Sequence, residues 1–314
     1  MTTQASPVLF EIMVDDLFMN FVKDKKLDPV KNKKLMSLAN DFEDGKWRFQ
    51  KFQNFIWDNI ALTALSHKER EFLIDNNHST LVAAAKNLRL TDSDKDEKGQ
   101  GSELAEIVLY GIMKHYYKSL SVVPKIFYKQ NVQDNAKGAD SVHIVIEGDD
   151  DFSLWLGEAK FYSSIEDERL GAILESVQNS LDTEKLKKEN SIVTNVSDID
   201  RVVTDQNLNK KIKAILSRLS SIDLVKPKLQ VPILLLHECD ITKKASDIDV
   251  KYKSEIIEHH KARAESYFKK QILKMGKSVH LYSEIRFHII LFPVPDKSKI
   301  VEKFISNVQH YKGQ

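Results

Sequence analysis

Two acids and a lysine, Asp140, Glu158 and Lys160, are set close enough in the sequence to act on one substrate. They fall in one stretch, Lys137 to Lys160 (KGADSVHIVIEGDDDFSLWLGEAK), which reads as two short strands joined by an acidic turn. Asp140 opens the first strand, and Glu158, Ala159 and Lys160 close the second. Side chains on a strand alternate faces with period two, so Glu158 and Lys160 point the same way as Leu154 and Leu156. A carboxylate and an ammonium are thereby set about 7 Å apart at the end of an otherwise apolar face. Metal-dependent phosphodiester cleavage needs oxygen ligands for a hard cation, a group that orients or deprotonates a water, and a positive charge near the phosphate. Asp140 and Glu158 suit Mg²⁺, or Mn²⁺ in its place, with the Ala159 carbonyl as a third ligand. Lys160 would hold the attacking water and the phosphate. The competing reading is a turn aspartate followed by a half-buried Glu158–Lys160 ion pair. Such a pair gains a core little, because desolvation offsets its attraction.

Several elements must position these groups. Upstream, GSELAEIVLYGIMKHYY predicts a buried helix capped by Ser102 and apolar on nearly every side except at Glu103 and Glu106. Acids in a first turn are favoured by the positive helix end. A carboxylate there can also serve as an auxiliary metal ligand. VVPKIFYKQNV is expected as a strand with Lys125, Phe127 and Lys129 on one side. Beyond the central stretch, Ser163 or Ser164 caps a helix in which Leu170, Ile173, Leu174, Val177 and Leu181 form one apolar stripe. That stripe needs a sheet to cover. From Ser102 the order is therefore helix, strand, strand, strand, helix, strand.

The rest of the chain is plainer. Thr183 to Lys228 is polar and lysine-rich, with one helical pattern around Leu208 to Leu219. VPILLLHEC reads as a strand covered on both faces. A charged helix from Tyr252 to Met275 follows, with Ile256, Ile257, Ala264, Tyr267 and Phe268 as its buried side. A strand from Ile285 to Phe292, stopped by Pro293 and Pro295, and a short helix, KSKIVEKFISNVQHY, close the sequence.

Ahead of all this, the residues up to the acidic break LTDSDKDEKGQG at Leu90 to Gly101 read as a mostly helical accessory unit with an extended start at Val8 to Val14. The division falls between residues 1–98 and 99–314. Within the first unit, KWRFQKFQNFIWDNIALTAL interleaves Lys46, Arg48 and Lys51 with aromatics, as a base-stacking surface would. A core-facing helix with Phe49, Phe52, Ile56 and Ile60 inward is the preferred reading. Ser66 and Glu69 form a capping-box pattern.

Composition narrows the classes. In 314 residues, 42% hydrophobic, no run approaches the roughly 18 apolar residues that a membrane span needs. The first residues lack the basic and apolar regions of a secretory signal, and the single cysteine, Cys239, permits neither an internal disulfide nor a cysteine metal cluster. A cytoplasmic protein is expected. With 47 basic and 46 acidic side chains there is no global basic field, so any nucleic-acid affinity is local or borrowed from a partner. Neighbouring His259 and His260 on a helix face about 100° apart and do not readily share a metal. His237, Glu238 and Cys239 lack zincin spacing, and Asp149 to Asp151 read as a solvated turn. There is no glycine-rich phosphate loop, so ATP hydrolysis is not expected.

The blocks GSELAEIVLY, KGADSVHI and LWLGEAKFY, in that order and separation, resemble the PD-(D/E)xK nuclease superfamily. More narrowly, they resemble the nuclease subunit of Hachiman antiphage defence systems. The resemblance covers about Gly101 to Val177. It implies an α/β fold with a restriction-endonuclease-like core, a central mixed sheet flanked by helices, and Mg²⁺-dependent cleavage of DNA. It also implies a partner, a HamB-like helicase of superfamily two, that restrains the nuclease until it senses foreign or damaged DNA. By position, Asp140 matches the motif aspartate, Glu158 and Lys160 the ExK pair, and Glu103 or Glu106 the acid on the first helix. Of these two, Glu103 lies nearer the stripe of Leu104, Ile107, Val108 and Gly111. Two departures stand out: Ala139 replaces the motif proline, and Gln178 lacks the tyrosine that follows it in some relatives. The N-terminal unit and the segment from Lys185 to Lys228 are candidates for holding the helicase or guiding DNA. The rival readings are a stand-alone, sequence-specific restriction endonuclease and a non-catalytic interaction subunit that keeps the fold.

Overall fold

The apolar run from Leu229 to Glu238 lies in the middle of a seven-stranded mixed sheet. It is buried along nearly its whole length, as a strand covered by helices on both faces must be. The computed structural model describes residues 9–90, 101–129, 138–148, 150–195 and 198–314. The division drawn between residues 98 and 99 lies outside the described residues.

In chain order, β1 (Glu11–Leu17), the turn α1 (Phe18–Phe21) and β2 (Lys33–Ala39) precede a small ribbon of β3 (Phe42–Glu43) and β4 (Lys46–Trp47). Helices α2 (Phe49–Ala64), α3 (His67–Phe72) and α4 (Asn77–Lys86) follow. Then come α5 (Ser102–Tyr117), β5 (Leu120–Val123), α6 (Lys125–Tyr128), β6 (Ser141–Glu147) and β7 (Asp151–Tyr162). Four helices, α7 (Leu170–Ser180), α8 (Thr183–Asn195), α9 (Asp198–Val202) and α10 (Gln206–Ile215), lead to β8 (Leu229–Glu238). The chain ends with α11 (Asp240–Lys244), α12 (Val250–Met275), β9 (Arg286–Val294) and α13 (Lys297–Lys312).

Sheet order is β1-β2-β9-β8-β7-β6-β5. Strands β2, β9, β8 and β7 run parallel, whereas β1 pairs antiparallel to β2 and the β7–β6–β5 end is antiparallel. Period-two alternation divides the core. Leu154, Leu156, Ile233, Leu235 and Leu291 pack on one face with Ile173 of α7 and Phe268 of α12. Trp155, Ala159, Leu234 and Ile290 pack on the other with Phe55 of α2, Ile107 of α5 and Phe304 of α13. Among the described residues no helix is long and apolar enough to cross a membrane.

Several local expectations are met. Ser66 and Glu69 close the capping box of α3. Of the expected stripe of α2, Phe52, Ile56 and Ile60 are buried and Phe49 partly so, while Arg48 and Lys51 both pair with Asp41, so this aromatic stripe is core. The stripe of α7 is buried as expected.

Others are corrected. The N-terminal portion, expected to be mostly helical after an extended start, also supplies β2, paired parallel to β9, and so extends the sheet that carries the candidate site. The expected strand at Lys125 to Lys129 is the short helix α6, because Pro124, with its fixed φ and missing donor, ends β5 and opens a helical turn. Gly101, at φ +86°, occupies the N-cap of α5 in place of Ser102. Helix α7 starts after Arg169, so neither Ser163 nor Ser164 caps it. The lysine-rich segment folds into α8, α9 and α10, whose Leu186, Val193, Ile199, Leu208 and Ile212 enter the core. Ile257 is only partly buried. Strand β9 continues through Pro293 to Val294. Phe287 N–H bonds toward β2, so the alternate residue Pro293 would direct its missing donor to the same side, where pairing with β2 has already ended at Leu291.

Candidate active site

The antiparallel pairing of β6 with β7 sets Ser141 opposite Gly157, and the Asp140 N–H donates to the Gly157 carbonyl at 2.8 Å. Asp140 is thereby fixed beside the end of β7. On β7, Glu158 lies next to Ile233 and Lys160 next to Leu235 of β8, both on the face of Leu154 and Leu156. Gly157 points to the opposite face. A Cβ there would meet Leu109 of α5 at 2.8 Å and overlap the Ser141 hydroxyl. Its absence lets α5 lie close on β7, which delivers Glu106, three residues before Leu109, to Asp140.

The Asp140 carboxylate divides its contacts. Oδ2 accepts from the Ala159 N–H at 3.1 Å and from Lys160 Nζ at 3.3 Å. Oδ1 faces Lys129 Nζ at 3.8 Å. The same ammonium donates to Glu106 Oε1 at 2.7 Å. Glu106 Oε2 is buried and has no hydrogen-bond partner among the described residues. Glu158, only 2% exposed, accepts one bond from Ser176 Oγ of α7 at 2.6 Å. The Ala159 carbonyl leaves β7 on the same edge as its N–H, toward Asp140, where the β6 pairing has not yet begun.

The electrostatics are those of crowded acids. Burial, then the Asp140 charge, pushes the Glu158 carboxyl up to about 8, against Lys160 and the Ser176 hydroxyl. Burial raises Glu106 to about 7, with Asp140 adding to it and Lys129 opposing. Asp140 moves the other way. Burial would raise it, but the Lys160 and Lys129 charges and the Ala159 N–H together hold it below the usual carboxylate range. Burial would lower Lys160, yet Asp140 and Glu158 raise it above an ordinary lysine. Lys160 is therefore held as a cation, suited to bind a phosphate oxygen or the lone pair of a water and not to take a proton.

Hard oxygen donors, three carboxylates and a strand-end carbonyl, are what Mg²⁺ or Mn²⁺ prefers, and Glu106 Oε2, without a partner among the described residues, is a donor atom suited to a cation. The residues fit such an ion. As they stand, no three His, Cys, Asp or Glu side chains among the described residues form a closed ligand set.

Of the sequence candidates, Asp140, Glu158, Lys160 and Glu106 are brought together. Glu103 is turned aside, its carboxylate accepting the Arg89 and Leu90 N–H groups at 3.0 Å each, although its charge still acts on Glu106 and Lys129. Gln178 is half-buried on α7 and bonds none of Asp140, Glu158 or Lys160; Ser176 is the residue of that helix that reaches the site. Lys129 and Ser176 were not foreseen, nor was the buried pair in which Lys125 donates to Glu189 at 2.8 and 2.9 Å. Glu189 fills the space beside Gly138, where a Cβ would overlap its carboxylate. Pro124 ahead of KIFYK was the available signal, since a helical turn sets Lys125 and Lys129 four apart on one face.

Elsewhere, Asp149 lies outside the described residues, while Asp150 pairs with Lys211 at 3.2 Å. His259 and His260 both lie against His237, with ring centroids 6.1 and 5.2 Å from it. His260 meets His237 Nε2 to Nε2 at 3.1 Å.

Fold and site together define an α/β protein with a helix-flanked mixed sheet and an acid–lysine cluster at the end of an antiparallel strand pair. The chain belongs to the HamA family, a family of Hachiman antiphage defence, whose sequence profile matches residues 15–308. No curated protein matches the chain.

Proposed function

We propose that this chain is the nuclease effector of a Hachiman system, a Mg²⁺-dependent DNA endonuclease of the PD-(D/E)xK type released or activated by a partner helicase in the cytoplasm. The observation that supports this reading is one charge cluster: Asp140 meets Lys160 and Lys129, Lys129 meets Glu106, and Glu158 feels the Asp140 and Lys160 charges, while Glu106 Oε2 has no partner among the described residues. Asp140, Glu158, Glu106 and the Ala159 carbonyl would hold the ion. When bound, Mg²⁺ supplies Lewis acidity toward the phosphate and lowers the pKa of an attacking water. Lys160 orients that water and balances charge that builds on the phosphate oxygens. Ser176 fixes the Glu158 carboxylate, and Ala159 N–H fixes Asp140. The range 99–314 is read as the nuclease portion.

The test is plasmid DNA incubated with the purified chain, alone and with the helicase, in Mg²⁺ or EDTA. Cleavage that requires Mg²⁺ and disappears in Glu158→Ala and Lys160→Ala is expected. Cleavage indifferent to both substitutions overturns the reading. Phage protection retained by both variants would instead make the chain a non-catalytic subunit. Defined fragments would indicate a restriction endonuclease, whereas random ones fit the effector. Because β1 and β2 belong to the sheet, the partner-binding role of the N-terminal portion is better tested by exposed substitutions than by deletion.

A further inference from the structure

Lys129 stands where a cation between Glu106 and Asp140 would stand. Its ammonium is 2.7 Å from Glu106 Oε1 and 3.8 Å from Asp140 Oδ1, while Lys160 takes the other oxygen, Oδ2. The two lysines are thus not equivalent. Lys160 comes from β7 itself and shares its acceptor with the Ala159 N–H, a fixed arrangement on the strand. Lys129 follows the short helix α6, and its side chain is 26% exposed, so its long stem has water to move into.

Charge counting separates them further. With all three carboxylates ionised, as a bound ion requires, Glu106, Asp140 and Glu158 face two ammonium groups and leave one uncompensated negative charge. A divalent ion added to that set overshoots to a net positive charge. A divalent ion in place of Lys129 brings the cluster to neutrality. Buried charges are tolerated only when matched, so the ion and the Lys129 ammonium are alternatives.

Resting on the metal-dependent reading above, we propose that Lys129 is a built-in competitor for the divalent ion: its ammonium bridges Glu106 and Asp140 in the metal-free protein and is displaced when the ion loads. Lys129 then holds the acids together and keeps the site closed to metal at low concentration. Any event that draws Lys129 toward another anion, a DNA phosphate included, favours loading.

The experiment measures Mn²⁺ binding to the full chain by the electron paramagnetic resonance of free Mn²⁺, for wild type, Lys129→Met, Lys129→Gln and Lys129→Met with Glu106→Gln. Both single substitutions are expected to bind Mn²⁺ at least about tenfold more tightly than wild type, a shift of about 1.4 kcal/mol. Adding Glu106→Gln should reverse the gain. A second measurement needs no substitution: labelling of wild-type lysines with an amine reagent, read by peptide mass spectrometry, should show Lys129 becoming more reactive at saturating Mn²⁺. Unchanged or weaker binding in the Lys129 variants, with Lys129 labelling unaffected by Mn²⁺, overturns the competitor and leaves the metal site standing. Absence of Mn²⁺ binding in wild type and in folded Lys129 variants alike overturns the metal reading, and this inference with it.

Discussion

Two buried polar clusters sit at the same sheet, and they differ in how well they are satisfied. In the first, His237 Nδ1 lies 3.2 Å from the Glu238 carbonyl, which can only accept, so this nitrogen carries the proton and Nε2 is free to accept. His260 Nε2–H then donates to His237 at 3.1 Å, and the remaining His260 nitrogen accepts from Ser37 Oγ at 2.6 Å. Every member of this chain from β2 through α12 to β8 is neutral and partnered. The second cluster, Asp140, Glu158 and Glu106 with two lysines, has an orphaned oxygen and two carboxyls pushed toward neutrality by burial. Satisfied networks specify a fold, and strained ones mark sites where a ligand completes the set. Histidines are the commoner metal ligands, yet here they form a structural pin, and the acids are the ligands proposed above.

The largest effects should separate the clusters cleanly. Glu158→Gln is expected to lower cleavage by about 10²- to 10³-fold while leaving the melting temperature unchanged or raised, since it replaces a buried ionisable carboxyl with a neutral group of the same shape. His260→Ala should do the converse. It strands the Ser37 hydroxyl and His237 Nε2 and opens a cavity, for a loss of about 3 kcal/mol in urea unfolding, with cleavage per folded molecule retained. A Glu158→Gln variant that loses stability and keeps activity would collapse the distinction.

Their pH signatures should also oppose one another. Burial lowers His237 to about 3 and His260 well below its ordinary value, so the unfolded chain binds more protons below about pH 6.5. The stability these groups contribute is present above the unfolded pKa and lost as pH falls, by up to about 1.4 kcal/mol per pH unit for each histidine. His143 and His288, also lowered to about 3, add to the same limb. Glu106 and Glu158 are raised, to about 7 and about 8, so their contribution is present below the unfolded pKa and is lost as pH rises through these values. Thermal melts across pH in EDTA check both limbs. His260→Ala should flatten the acid side and Glu158→Gln the neutral-to-alkaline side.

Gly138→Ala should disturb the acid cluster alone, from a residue outside the proposed ligand set. The added Cβ would overlap the Glu189 carboxylate, which Lys125 holds in a buried pair, so either the pair or the backbone leading to Asp140 must move. Overpacking of this kind lowers stability by about 1–3 kcal/mol. Mn²⁺ affinity should fall along with it, whereas equal overpacking near His260 should leave that affinity alone.

How much of this was legible in the sequence follows from the range of each interaction. Glu158 and Lys160 were readable because period two along β7 fixes their face whatever surrounds them, and the flanking apolar residues mark the strand. Asp140 was readable through its place at the start of the paired strand. Glu103 and Glu106 were not separable, as both lie at the start of one buried helix; the docking of α5 on Gly157 decides between them. Lys129 was misplaced because alternation in KIFYK imitates a strand, although Pro124 signalled a turn of helix. Strand β2 was missed because it is buried almost throughout and shows little alternation. The Lys125–Glu189 pair and the Ser37–His260–His237 chain join residues distant in sequence, and no local pattern announces either.

The smallest expected effect tests how the strained cluster is held. Ser176 donates the one hydrogen bond that the Glu158 carboxylate accepts from α7, at 2.6 Å. That bond favours the charged form, which is the form a divalent ion needs. Ser176→Ala removes it without leaving a buried donor unpaired, so the fold should change little. Glu158 should then titrate higher still, and Mn²⁺ affinity at neutral pH should fall about fivefold, near 1 kcal/mol. The deficit should shrink as pH rises above the Glu158 pKa, because the ion no longer has to displace a proton there. Ser176→Thr, which keeps the hydroxyl, should restore affinity. A deficit independent of pH would mean that Ser176 positions the carboxylate by packing and not by its hydrogen bond.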